Sequence, residues 1–266
     1  MDKNWSEMNK EMQALLSKEA TFRDAVGKLI QLRDSLFEQI TQIVNAYPQE
    51  AFSRMPFAGA EGYHSKTLAY SIWHIFRIED IVAHEMIAED QQVLFAQGFD
   101  RSVGSPIITT GNELAGDEIA AFSGKLDIRE LYRYAQEVKQ STEQILLHLS
   151  WSDLKRKFGE EMIGKLKRSG CVSEDENAVW LIDYWCGKDV RGLIKCPSAG
   201  TGSCISKPCS ESKTGCANWR ERAWIPSLTA ASPAAIVSWR SGADPAGRHI
   251  TPARSRLFHR AESAPT

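Results

Sequence analysis

Of the six histidines in this 266-residue chain, His74 is the one whose neighbours could put it to chemical use. It stands in YSIWHIFRIED at helical spacing from Tyr70, Ile78 and Ile81, so its face of the helix points at least partly inward. An interior imidazole is either a packed core residue or a donor, and a neutral ring nitrogen is the commonest metal ligand. His64 lies in a loop and His84 lies ten residues past His74, well around the helix, so both are expected at the surface. His148 closes a long helix, where a cation suits the C-terminal dipole. Glu79 and Asp80 could hold an imidazole from behind, as carboxylates do around metal ligands. Such a pair is more often a solvated face, and it is read so here. Trp73, Trp180, Tyr184 and Trp185 could line a pocket but are read as packing residues. The basic cluster Lys155–Lys157 with Lys165, Lys167 and Arg168 is read as a solvated helix face. Cys204, Cys209 and Cys216 lack C-x-x-C spacing, and no zinc site is read from them.

These residues need helices to position them. The sequence predicts a short polar helix near Trp5–Leu16 and a long one from about Glu19 to Ala46. In the long one, Phe22, Val26, Leu29, Leu36, Ile40 and Ile43 share a face. Tyr47-Pro48 stops it. A second long helix runs from a cap at Ser65 to about Ala88. Its apolar set, including Leu68, Ile72, Ile75, Ile78, Ile81 and Val82, is broad enough for packing on more than one side. Residues 98–116 read as a loop broken by Gly104, Pro106 and Gly111. Asp127 then caps a third long helix, with Glu130 as its capping-box partner and a stripe through Leu131, Tyr134, Val138, Ile145 and Leu149. A basic amphipathic piece follows at Leu154–Leu166, then a short apolar helix around Asn177–Trp185. No segment alternates with a period of two, so the fold class read is all-α, a bundle one helix short.

Charge divides the chain. Residues 1–195 carry 23 Lys+Arg against 30 Asp+Glu, a net of −7, while residues 196–266 carry 9 against 4, a net of +5. Seven of the ten prolines fall in that tail, and Ala, Ser, Pro and Gly supply 35 of its 71 residues. An acidic first part argues against nucleic acid as a partner. No run approaches the roughly 18 apolar residues of a membrane span. MDKNWSEMNK has no secretory character, and Cys171 and Cys186 are the only cysteines before Lys195, so a cytoplasmic location is expected. Residues 1–195 are read as an incomplete helical bundle, and 196–266 as a disordered, non-native tail.

So abrupt a change suggests a shift of reading frame at Lys195. If the intended codons begin at the third base of each codon read, two near-fixed bases and one wobble base constrain every residue. One permitted reading is MPVSRHWIMHLEAMLRIKNRLCQL. Its apolar residues recur at three- and four-residue spacing, and much of that periodicity is forced. Its H-x-x-x-H pair is permitted by the wobble bases rather than forced by them. The tail histidines, His249 and His259, carry no meaning if the tail is out of frame. A natural disordered tail is the alternative.

YSIWHIFRIEDIVAHEMIAED, with MPFAGAEGYHSKTL before it, resembles the DinB-like (also called YfiT-like) family over about residues 19–195. The resemblance implies an up-and-down four-helix bundle holding a divalent metal with three histidines, one on the second helix and an H-x-x-x-H pair on the last. The second-helix ligand maps onto His74, and the pair has no counterpart in the chain as written, although the neighbouring frame restores it. It implies a zinc, nickel or manganese ion in the frame-repaired form and none as written. It implies thiol-dependent transferase or hydrolase chemistry on a small-molecule thiol or electrophile, lost here with two ligands. A homodimer is compatible with such a bundle. A non-catalytic helical binding or stress-associated protein, with His74 structural, is the alternative.

Overall fold

The computed structural model describes residues 3–55 and 66–198, which belong to one compact unit. Among them there is no strand, only an isolated antiparallel bridge between Lys157 and Asp189, so the chain is all-α there. None of these helices is long and apolar enough to cross a membrane.

Helix α1 (Lys3–Leu15) folds back on α2 (Phe22–Ala46), where Met12 and Leu16 are fully buried. Each such side chain contributes roughly 1.5–3 kcal/mol by leaving water, enough to hold a short helix with little stability of its own. On α2 the buried stripe is Phe22, Val26, Leu29 and Ile40, with Ala25 and Leu32 alongside. Helix α3 (Leu68–Asp80) starts at Thr67, whose Oγ1 accepts from the Tyr70 N–H at 3.1 Å. The expected cap, Ser65, lies outside the described residues. Only Leu68, Ser71 and Ile75 of α3 escape full burial, in line with packing on several sides. The helix then widens into a π segment (Ile81–Ala88), closed by Glu89 in the left-handed region at φ 57°.

Two four-residue helices, α4 (Val93–Ala96) and α5 (Phe99–Ser102), and α6 (Asp117–Ser123) lead to α7 (Ile128–His148). Helix α5 and the start of α6 flank the expected loop, which is therefore shorter than 98–116. Asp127 does cap α7, accepting from the N–H groups of Arg129 and Glu130 at 2.9 and 3.0 Å. The Glu130 carboxylate pairs with Arg133. The basic piece begins later than expected, as α8 (Glu160–Ser169), and is followed by α9 (Trp180–Cys186) and α10 (Val190–Ser198).

The long helices surround two apolar clusters. One joins α1, the first half of α2, the π segment and α8–α10, and the other joins the second half of α2 with α3, α6 and the first half of α7. A last helix was expected to be missing, yet α10 packs on both α2 and α3. It starts where the Val190 N–H donates to the Arg156 carbonyl at 3.1 Å, and Arg156 in turn reaches the Ile87 carbonyl. Ile194 lies among Leu29, Val82, Ala83, Ile87 and Leu146. At 9 residues α10 is much shorter than α2, which has 25. The break expected after Lys195 falls inside it, and the tail beyond Ser198 lies outside the described residues.

Candidate functional site

Helix α3 grips an irregular loop through four side chains on one face. The Arg77 Nε donates to the Ile108 carbonyl at 2.7 Å, and the Trp73 Nε1 donates to Thr109 at 3.0 Å. His74 Nδ1 lies 2.8 Å from the Thr110 carbonyl, and the Tyr70 hydroxyl donates to Gly111 at 3.0 Å. Four successive carbonyls thus meet donors at positions i, i+3, i+4 and i+7 of a helix, which share a face. Gly111 has φ +80°, and a Cβ there would meet the Tyr70 ring at 3.1 Å, so the close approach requires glycine.

This clamp fixes the state of His74. A carbonyl only accepts, so Nδ1 carries the proton and Nε2 presents its lone pair. His74 is 1% exposed, and no described hydrogen-bond partner reaches Nε2. Burial pushes the imidazole pKa down to about 4, with the Thr110 bond opposing and the Lys66 charge adding to the fall. The ring is therefore neutral at physiological pH. It stacks on Tyr70 with 5.5 Å between centroids, and Lys66 Nζ sits 4.7 Å from the centre of the Tyr70 ring. Burial lowers the Lys66 pKa; burial, helped by Glu113, raises that of Tyr70. The Thr109 hydroxyl donates to Glu113 Oε1, while Glu113 Oε2 is buried with no hydrogen-bond partner among the described residues.

Glu79 and Asp80 were expected in solvent, and both are buried, at 3% and 0% exposure. Arg33 of α2 forks onto Glu79 at 2.9 and 2.5 Å and donates to the Lys139 carbonyl of α7, tying three helices together. Burial alone would weaken the Arg33 charge, but the Glu79 and Glu143 carboxylates together outweigh it. Asp80 caps α4 through the N–H groups of Val93 and Leu94, accepts from the Tyr134 hydroxyl at 2.8 Å and pairs with Arg77. Arg77 also donates to Gln92 at 2.6 Å and to the Cys171 sulfur at 3.3 Å. Both acids are thus spent on structure.

His84, expected at the surface, is 4% exposed. Its Nδ1 lies 2.6 Å from Asp90 Oδ1 and its Nε2 lies 3.0 Å from Ser141 Oγ. His148 is exposed, with Nδ1 turned to the Gln144 carbonyl of its own helix, as a helix-end histidine should be. His64 lies outside the described residues. Trp73 and Trp185 are fully buried, and Trp180 packs edge-on against Tyr184. In the basic cluster, Lys157, Lys167 and Arg168 are exposed, but Lys165 and Arg156 donate to the Glu85 and Ile87 carbonyls at the end of the π segment. Sequence reasoning missed the His84 group because Asp90 and Ser141 reach it across 6 and 57 residues.

No family model, curated protein or solved structure matches the chain. The chemistry of the site is read from its residues alone. Among the described residues no three His, Cys, Asp or Glu side chains gather to hold a metal. His74 nevertheless has the form of a single donor, a neutral and buried nitrogen whose ring is fixed by a carbonyl on the other side.

Proposed function

We propose that the chain derives from a DinB-like metal-binding bundle in which His74 supplies one of three histidine ligands. The observation that carries this reading is the buried Nε2 of His74, which has no hydrogen-bond partner among the described residues while Thr110 fixes Nδ1. An imidazole that only packs in a core has no need of an unsatisfied nitrogen, which costs on the order of 1–3 kcal/mol. A ligand must keep that lone pair free.

Helix α10 supports the same reading. The histidines permitted in the neighbouring frame would stand seven and eleven residues beyond Ile194. That is about 10 and 16 Å further along a helix. If α10 continued from the level of Ala83 toward the N-terminus of α3, the pair would come level with the stretch Trp73–Arg77. In that arrangement His74 would hold a zinc, nickel or manganese ion together with the pair, and the Thr110 carbonyl would fix its tautomer. Three neutral nitrogens leave coordination positions open, so a bound metal would supply a Lewis acid for a small thiol or electrophile. Lys66 and Tyr70 flank the imidazole and would border such a substrate. As encoded, the chain carries one donor of the three, and we read it as inactive.

The test is metal content. A frame-repaired chain, dialysed against zinc, nickel and manganese in turn, should retain about one equivalent of one of them. The chain as encoded and a repaired His74→Ala variant should retain none. A repaired chain that folds but takes up no metal would overturn the reading and leave His74 a structural residue.

A further inference from the structure

A second group of reactive side chains lies ten residues along from His74, on different partners. His84 sits between Asp90 and Ser141, 2.6 Å from the first and 3.0 Å from the second. An ionised carboxylate only accepts, so Nδ1–H donates to Asp90, and in the neutral imidazole Nε2 is left to accept from the Ser141 hydroxyl. The serine proton therefore points at a basic nitrogen whose other side is held by an acid. That is the order of roles in which serine is made nucleophilic.

The backbone is shaped to give this arrangement. His84 lies on the π segment, a form of helix that recurs at functional sites. Glu89 takes a left-handed conformation unfavourable for a non-glycine residue, and the turn it makes lets the Asp90 N–H donate to the His84 carbonyl at 3.0 Å. Lys165 and Arg156 pin the Glu85 and Ile87 carbonyls on either side of that turn. His84 is buried, Ser141 half-buried and Asp90 exposed.

We infer that Ser141, His84 and Asp90 form a metal-independent acyl-transfer centre for small activated esters. Ser141 Oγ attacks the ester carbonyl and forms the new C–O bond as its proton passes to His84 Nε2. The bond to the leaving oxygen then breaks, and the imidazole returns the proton to it. The N–H groups of α7 around Ser141 are committed to intrahelical bonds, so they offer no donors to the tetrahedral oxyanion. That confines the substrates to esters with good leaving groups and excludes amides. Ser141 and His84 are the catalytic residues, and Asp90 positions the imidazole.

The experiment treats the full chain with p-nitrophenyl acetate, follows the release of p-nitrophenolate and locates the acetyl group by peptide mass. A burst of about one equivalent with O-acetylation of Ser141 is expected, and Ser141→Ala should abolish it. His84→Gln removes the base and should slow the burst roughly 100-fold, the lower end of what a positioned base contributes. Asp90→Asn, at an exposed side chain, should slow the burst with an unchanged thermal midpoint, because an amide no longer holds the imidazole in the tautomer the serine needs, and Asp90→Glu should restore the rate. If the acetyl group goes elsewhere, if no burst occurs, or if Ser141 reacts equally fast in Asp90→Asn, the proposal is wrong.

Discussion

Acid should destabilise this protein through His74, and by an amount that its burial sets. The folded-state pKa is lowered to about 4 from an ordinary 6.5, chiefly by desolvation. Between those values the unfolded chain binds a proton that the folded chain refuses, so stability is lost as pH falls through 6.5 toward 4. Linkage gives a loss of about 2 kcal/mol by pH 5 and about 3 kcal/mol by pH 4, with little further change below that, where both states are protonated. His74→Gln provides the comparison, because an amide N–H can still meet the Thr110 carbonyl but does not titrate. Urea unfolding of both proteins, followed by tryptophan fluorescence at pH 7, 6, 5 and 4, should give curves that converge as the pH falls. Wild type should be the more stable at pH 7 and lose its advantage by pH 4. A constant difference between the two proteins across that range would show that the imidazole is not held neutral by burial, and the argument for a free Nε2 would fall with it.

Breaking the Arg33–Glu79 pair with Glu79→Ala should cost about 3–5 kcal/mol, since it strands a buried guanidinium; a chemical-denaturation loss under 1 kcal/mol would show that water reaches Arg33. Gly111→Ala should cost about 1–3 kcal/mol from its left-handed backbone and the Tyr70 contact, read as a lower thermal midpoint together with altered near-ultraviolet dichroism. Frame repair should raise the thermal midpoint, and metal should raise it further. Equal midpoints with and without repair would show that nothing beyond α10 belongs to the core.

The long helices were legible because their cores are apolar and periodic. Phe22 to Ile40 on α2 and Leu131 to Val138 on α7 point where their spacing says, and Asp127 caps where its type says. His74 was placed inward for the same reason. Glu79, Asp80 and His84 were misread because their burial depends on partners that no local pattern announces. Arg33 lies 46 residues from Glu79, Tyr134 lies 54 from Asp80 and Ser141 lies 57 from His84. The loop from Ile108 to Gly111 was invisible as structure, because side chains rather than backbone ladders satisfy its carbonyls and leave no period to read. The π segment also keeps the apolar composition of an ordinary helix. Only the Glu89 conformation betrays it, and glutamate is not a residue whose type signals that conformation.

The widened turn also works as a phase adjuster. In an ordinary α-helix each residue advances the azimuth by about 100°, and a π turn takes up one extra residue without passing that rotation on. Were the stretch Ile81–Ala88 to close as a regular α-helix with no residue removed, that rotation would be passed on. Everything after the segment would then arrive about 100° out of phase with everything before it. Trp73, His74 and Arg77 could keep their hold on the loop, or His84 could keep its place beside α7, but one rigid rod could not satisfy both. The π segment thus lets one continuous helix serve two separately oriented sets of partners, and its length constrains the sequence more tightly than the identity of most residues within it.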